Sequence, residues 1–196
     1  GGDYIVVSGL YWLEITSGSD ISAWVNWNRY SPASNKAVLV KPFGSTWVAP
    51  WFDYGLRLEA NINKMSFQIA DASNTNRTIS STTTLLANTW YHVVGTYDGS
   101  NMRIYINGKL EGTSPLTSTI AASTQPLRIG NDLASDLFPG SIDEVKIYNY
   151  ARSSKQIVED MQGSHPAVAA ARSGGMVGYW DFDEGYGATA NDLSGN

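Results

Sequence analysis

Short segments of alternating apolar and polar residues, separated by turn-forming residues, constrain the fold of this chain most strongly. The segment 20–27 places Ile21, Ala23 and Val25 on one face of an extended strand. Asn107-Gly108 indicates a tight hairpin turn, because such turns need positive φ at both central residues. Short strands with turn signals every ~8–12 residues predict an all-β fold with two antiparallel sheets, a sandwich or jelly roll.

The composition supports strands and excludes several functions. Aromatic residues make up 12% of the 196 residues and charged residues only 16%, a mixture that favours pleated, half-buried surfaces over helices. The net charge of −5 argues against nucleic-acid binding, which needs basic residues to neutralise phosphates. The absence of cysteine excludes disulfides and thiolate metal sites. No apolar run approaches the ~20 residues of a membrane span.

One short helix is predicted near residue 155. Ser153 is a good N-cap, and Gln156 stands three residues later as its capping-box partner. Ile157 and Met161 would share one face of this helix, and Gly163 would end it.

Two long segments resemble a known family. The runs "TWYHVVGTYDGSNMRIYINGKLEG" and "LRIGNDLASDLFPGSIDEVKIYNYARSSKQI" are similar to the laminin-G-like, concanavalin-A-like jelly rolls of extracellular proteins. The similarity spans roughly Asp20 to Gln162. It implies a two-sheet antiparallel jelly-roll sandwich with one short helix, and an extracellular or cell-surface location.

The last segment, "MVGYWDFDEGYGATANDLSGN", resembles the first strand of that family, so the chain resembles a circularly shifted domain. We expect residues 1–163 to form a jelly roll that lacks its usual first strand. Residues 164–175, rich in small residues, are expected to form a flexible linker. Residues 176–196 would supply the missing strand, either to this domain or to a neighbouring subunit, or would begin the next repeat of a longer protein.

Strand completion is the favoured interpretation of that tail. A jelly roll without one strand exposes unpaired backbone groups, and strand addition from a neighbour would relieve this and could build a filament. Self-association through the C-terminal strand is therefore one expectation. The apolar side chains that would otherwise be exposed to water are Val177, Tyr179, Trp180 and Phe182.

The resemblance also implies a calcium site. In these jelly rolls an Asp at the position of Asp143 often binds calcium together with backbone carbonyls. Calcium needs several oxygen ligands, and the candidates for the remaining ones are Asp192, Asp3 and Gly2. The alternative is that both carboxylates only cap or solvate turns.

Aromatic residues are concentrated in the first half of the chain, several of them in the stretch 43–54. Exposed rings can stack on sugars, so a carbohydrate or a cell-surface glycan is the expected partner, although aromatics are equally enriched in packed edges and subunit interfaces. Trp24 and Trp90 fall in regular strands and are assigned to the core. The predicted ligand-binding residues are Trp47, Trp51, Tyr54 and Trp27.

No strong catalytic pattern is present in the sequence. Asp181 and Asp183 would share a strand face as glycosidase carboxylates do, but the same pattern fits the family's inactive modules. His92 is interpreted as a structural strand residue. The sequence therefore favours a non-catalytic extracellular binding or adhesion module, part of a repeat or fibre protein. A filament subunit assembled by strand donation is the alternative, and a glycoside hydrolase is a weaker one.

Overall fold

The computed structural model describes residues 4–8, 13–28, 34–46, 49–133, 137–163, 175–184 and 189–195. Within these ranges the chain forms strands and one short helix in a fixed order. The elements are β1 Ile5–Val7, β2 Ser19–Trp27, β3 Lys36–Pro42, β4 Phe52–Leu58, β5 Met65–Ala70, β6 Asn76–Ser80, β7 Tyr91–Tyr97, β8 Asn101–Ile106, β9 Lys109–Pro115, β10 Leu127–Ile129, β11 Gly140–Tyr148, α1 Ser154–Gln162 and β12 Met176–Trp180.

The strands form two six-stranded sheets with antiparallel neighbours. Sheet A has the order β1-β10-β3-β4-β5-β6, and sheet B has the order β12-β11-β2-β7-β8-β9. Several neighbours in space, such as β11 and β2, are far apart in sequence. The predicted all-β, two-sheet jelly-roll sandwich is therefore confirmed.

The hydrophobic core lies between the two sheets. Ile21, Ala23 and Val25 of β2 are fully buried in it, as the alternation predicts. The sheets approach each other so closely at Gly95 of β7 that a Cβ there would lie 2.4 Å from the ring of Phe67 on β5. Only glycine fits at this point, since any side chain would overlap the ring.

Helix α1 covers part of the outer face of sheet B. Its N-terminus carries the predicted capping box, in which the Ser153 side chain accepts a hydrogen bond from the Gln156 backbone N–H. Ile157 is fully buried on that face against Val94 and Tyr105. This small apolar cluster helps to hold α1 on the sheet.

Strand β12 pairs with β11 of the same chain. Trp180 lies opposite Val145, and its side chain is 1% exposed in the core. The free edge of β12 is partly covered by the following segment, because the Leu193 N–H donates to the Tyr179 carbonyl at 2.8 Å. Phe182 packs against the core from the side. Residues 164–174 of the expected linker lie outside the described residues.

Candidate functional site

A pocket of about 310 Å³ opens between the C-terminal end of α1 and the outer face of sheet B. It combines two indole rings with three carboxylates. The residues that line it are Trp24, Trp90, Asp143, Glu144, Asp160, Met161 and Gly163.

Strand register brings the wall of the pocket together. Trp24 of β2 lies between its partners Asp143 of β11 and His92 of β7. The Trp24 ring packs against the His92 imidazole with ring centroids 5.3 Å apart. Trp90 directly precedes β7, and its side chain is 43% exposed. Two strands that are distant in sequence, β2 and β7, therefore supply the aromatic wall, and β11 places Asp143 beside it.

A β-bulge in β11 places two consecutive carboxylates at this pocket. The pairing of β11 with β2 shifts between Asp143 and Lys146, and Glu144 adopts a positive φ of 50°. The Glu144 N–H donates to Oδ1 of Asp143 at 2.9 Å. Because a bulge interrupts the alternation of side chains, both residues line the pocket instead of facing opposite sides.

Beneath the pocket, α1 and sheet B are joined by a buried charge network. Asp160 of α1 contacts Lys146 Nζ at 2.7 Å and Arg152 at 3.0 Å, and Glu144 contacts the same Lys146 at 2.9 Å. Burial alone would raise the pKa of Asp160, but hydrogen bonding with His92 and the two cations hold it well below its usual range. Asp160 is therefore ionised at any physiological pH.

The network continues to Arg152, just before α1. Its guanidinium donates to Asp20 at 2.8 Å and to the Ser22 hydroxyl at 3.0 Å, and it lies 4.2 Å from the Tyr148 ring centroid. Burial raises the pKa of Asp20 despite this partner, so Arg152 offsets only part of the cost of ionising a fully buried carboxyl.

Two of the predicted ligand-binding residues are in the core, which corrects the prediction. Trp27 is 2% exposed because it shares the inner face of β2 with Ile21. Tyr54 is fully buried, and its hydroxyl donates to the Leu13 carbonyl at 2.9 Å. Trp51 is 38% exposed but does not line the pocket. Trp47 lies outside the described residues.

The assignment of Trp24 and Trp90 to the core was also wrong, because both side chains are at least partly exposed. Trp24 points to the outer face because it alternates with Ala23 and Val25, which point inward. The alternation in the sequence already contained this signal. Trp90 stands one residue before the strand, where the pleat no longer determines its side.

Two of the residues expected to bind calcium lie in different segments of the described chain. Asp143 lies on β11, whereas Asp192 lies along the free edge of β12 and uses Oδ1 to accept from the backbone N–H groups of Tyr179 and Ser194. Gly2 and Asp3 lie outside the described residues. No group of three or more acidic or histidine ligands suited to a metal occurs among the residues that the structure describes. The calcium site stays a prediction.

The carboxylates of the weaker glycosidase alternative lie in a turn. Strand β12 ends at Trp180, so Asp181 and Asp183 do not share a strand face. The Asp183 N–H instead donates to Oδ1 of Asp181 at 3.3 Å. Glu184 accepts from the Asn191 N–H at 2.7 Å. These groups stabilise the turn after β12.

A second buried charge cluster, which the sequence did not indicate, lies on sheet A. Asp53 Oδ2 accepts from both the hydroxyl and the N–H of Ser123 at 2.9 Å. Lys41 Nζ donates to the Ser123 carbonyl and lies 3.9 Å from Asp53. Burial raises the pKa of Asp53 to about 6. The cluster ties the segment before β10 to β3 and β4.

Two solved structures share much of this fold. A candidate carbohydrate-binding protein from Bacteroides ovatus matches 98% of this chain and 54% of that chain, with a TM-score of 0.75 at 20% identity. The SAP-like pentraxin from Limulus polyphemus matches 77% of this chain and 73% of that chain, with a TM-score of 0.57 at 14% identity. At these identities the comparison shows the fold.

Sequence relatives include pappalysin-1. The chain is 30% identical over 90 residues to the Mus musculus protein, and 28% identical over 98 residues to the Homo sapiens protein. These matches cover 43% and 46% of this chain but only 6% of each relative. The chain therefore corresponds to a small part of these relatives.

The nine-residue α1, the helix formed by the described residues, is too short to cross a membrane. A laminin-G-like family model, described as the concanavalin A-like lectin/glucanases superfamily, matches residues 1–158. This range includes eleven of the twelve strands described above and part of α1. The chain therefore belongs to the laminin-G-like family of the concanavalin A-like lectin/glucanases superfamily.

Proposed function

We propose that this domain is a non-catalytic extracellular binding module that holds carbohydrate in the pocket between α1 and sheet B. The observation that carries the proposal is the pairing of Trp24 and Trp90 with carboxylates around one opening of about 310 Å³. Indole faces stack on the apolar faces of sugar rings, and carboxylates accept hydrogen bonds from their hydroxyls.

The exposure of Trp90 supports this assignment. At 43% exposure, the Trp90 indole offers a large apolar surface to a ligand in the pocket. Met161 adds a second apolar surface at the rim. The carbohydrate-binding description of the Bacteroides ovatus protein agrees with the proposal, and membership of the laminin-G-like family supports an extracellular location.

The electrostatic environment of Asp160 supports binding over hydrolysis. A glycosidase needs one carboxyl whose raised pKa keeps a proton available near neutral pH. The pKa of Asp160 is instead lowered by its partners. Glu144 is held at 2.9 Å from Lys146. Asp160 is therefore better suited to accept hydrogen bonds than to donate a proton.

Binding to a glycan array, followed by titration of the best ligand, tests the proposal. We expect Trp90→Ala to weaken binding about tenfold or more, because it removes one stacking surface. Trp51→Ala is the matched control, since Trp51 is similarly exposed (38%) and lies away from the pocket. Thermal melts would establish that both variants are folded. If no glycan on the array binds, or if both variants lose the same amount of binding affinity, the proposal is contradicted.

A further inference from the structure

The C-terminal strand contributes a side chain to the surroundings of Glu144. The Tyr179 hydroxyl of β12 donates to both carboxylate oxygens of Glu144, at 3.3 and 3.1 Å. Tyr179 lies opposite Lys146 of β11 in the sheet, and the Lys146 ammonium lies 2.9 Å from Glu144. Glu144 therefore contacts a hydroxyl from β12 and an ammonium from β11 while it lines the pocket.

The backbone at Glu144 does not by itself determine where the carboxylate lies. Glu144 belongs to the bulge of β11 and adopts a φ of 50°, so the regular pleat does not dictate the direction of its side chain. Glutamate is also long and rich in rotamers, and ordering it costs conformational entropy. Polar partners must therefore hold the carboxylate in one place, and Tyr179 is one of them.

Tyr179 is itself held firmly enough to act as a fixed donor. Its side chain is buried, and the Lys146 ammonium lies 5.0 Å from the centroid of its ring. Its backbone N–H donates to Asp192 at 3.0 Å, and its carbonyl accepts from the Leu193 N–H at 2.8 Å. Burial and the neighbouring Glu144 raise the pKa of Tyr179, so its hydroxyl keeps the proton that it donates.

We infer that Tyr179 is a positioning residue of the carbohydrate pocket, and that it holds the Glu144 carboxylate where it accepts hydrogen bonds from sugar hydroxyls. This inference rests on the proposed function and goes beyond it, because it gives the C-terminal strand a part in ligand binding. Tyr179 does not line the pocket. It also lies outside the family match, which ends at residue 158.

Tyr179→Phe is the test, because it removes the hydroxyl and keeps the ring that lies against Lys146. Without this donor, part of the ordering of Glu144 must occur when the sugar binds, which weakens binding. The probe is the array glycan whose binding depends most strongly on Trp90. We expect the full-length variant to bind this glycan about fivefold more weakly than wild type, as measured by calorimetric titration.

Tyr54→Phe is the matched control for the loss of a buried hydroxyl. Tyr54 is fully buried on β4 of sheet A, and its hydroxyl donates to the Leu13 carbonyl at 2.9 Å. Both variants should lower the midpoint of chemical denaturation, because each loses a hydrogen bond of a buried group. Only Tyr179→Phe should weaken glycan binding, and this difference separates positioning from a general loss of stability.

A double-mutant cycle tests whether Tyr179 acts through Glu144. Glu144→Gly removes the carboxylate, and glycine adopts the positive φ at this position without strain. In the Glu144→Gly background, adding Tyr179→Phe should change the affinity for the same glycan by less than about twofold, because the residue that Tyr179 positions is then absent.

The outcomes separate this inference from the proposed function. Trp90-dependent binding that is unchanged in Tyr179→Phe would overturn the inference and leave the carbohydrate function intact. Equal losses of affinity in Tyr179→Phe and Tyr54→Phe would also overturn it, as would an undiminished effect of Tyr179→Phe in the Glu144→Gly background. If no glycan on the array binds in a Trp90-dependent way, both proposals are wrong.

Discussion

At the scale of single residues, the buried carboxylates differ in how fully they are paired. Asp160 has three partners that favour its ionised form, and these outweigh its burial. Asp53 is also buried, but its Oδ1 has no hydrogen-bond partner among the described residues. Its nearest cation, Lys41, lies 3.9 Å away. Burial therefore dominates at Asp53, and the pKa rises to about 6.

This raised pKa predicts a pH dependence of stability. Between about pH 4 and pH 6 the folded chain binds the Asp53 proton more tightly than the unfolded chain does. The stabilisation that protonated Asp53 contributes to the folded state is complete below about pH 4 and is lost as the pH rises through 6. Relative to Asp53→Asn, the wild-type free energy of unfolding should fall by up to about 3 kcal/mol across this window.

Urea denaturation at closely spaced pH values measures this difference. Asp98→Asn is the control with the opposite sign, because hydrogen bonds from Arg103 and from two backbone N–H groups outweigh burial and lower the pKa of Asp98. The difference in the free energy of unfolding between Asp98→Asn and wild type should change only below about pH 4. Parallel curves for wild type and Asp53→Asn between pH 4 and 7 would contradict the prediction.

At the scale of elements, α1 is held on sheet B by buried ion pairs as well as by apolar contact. The buried residue of α1 is Ile157. Arg152, just before α1, forms ion pairs with Asp20 of β2 and with Asp160 of α1. Removing one partner of a buried ion pair leaves an uncompensated charge, which costs more than the pair contributes. The position of α1 should therefore depend on Arg152.

We expect Arg152→Met to lower the free energy of unfolding by about 3–5 kcal/mol. The double variant Arg152→Met with Asp20→Asn should regain part of this loss, because it leaves no unpaired charge at position 20. Chemical denaturation measures both. Lys155→Met is the control, since Lys155 is 84% exposed in a surface pair with Glu159 and should change little. A double variant no more stable than the single variant would disprove the explanation.

Elements could be predicted from the sequence where local patterns determine them. The capping box at Ser153 and Gln156 identified the start of α1, because capping is a contact within one turn. The alternation in 20–27 identified β2 to within one residue. The bulge at Glu144 could not be predicted, because it depends on pairing with a strand far away in sequence.

The pocket was missed for the same reason. Its residues come from separate segments that only the fold brings together. Alternation places Trp24 and Trp27 on opposite faces of β2, the reverse of their predicted roles, and the sequence did not show that α1 leaves part of the outer face open. Aromatic content alone therefore indicated a ligand surface without locating it.

The Asp53 cluster could not be predicted either, because it depends on contacts across β3, β4 and the Ser123 segment.

At the scale of the whole molecule, β12 closes the edge of sheet B from within the same chain. Its pairing with β11 buries Trp180, and the aromatic ring lies against Gly178 so closely that a Cβ there would be 2.7 Å away. The segment ending at Leu193 then covers part of the remaining edge. This arrangement removes the unpaired backbone of β11 that would otherwise invite a neighbour.

We expect the full chain to be monomeric over a wide concentration range, and Trp180→Ala to lower the free energy of unfolding by about 3–5 kcal/mol. Light scattering after size exclusion and chemical denaturation measure these two quantities. Leu193→Ala is the control, because Leu193 is 45% exposed and should change little. A dimer or polymer that dissociates on dilution would instead support strand donation between subunits.

The pairing of β2 with β11 has a consequence for the order of events during biosynthesis. Strand β2 leaves the ribosome early, whereas β11 follows only after most of the domain has been translated. Until then one side of β2 has no partner, and the chain must close a long loop before sheet B is continuous. Trp24 and Asp143 meet only at that step, so the pocket between α1 and sheet B cannot exist before β11 has been synthesised.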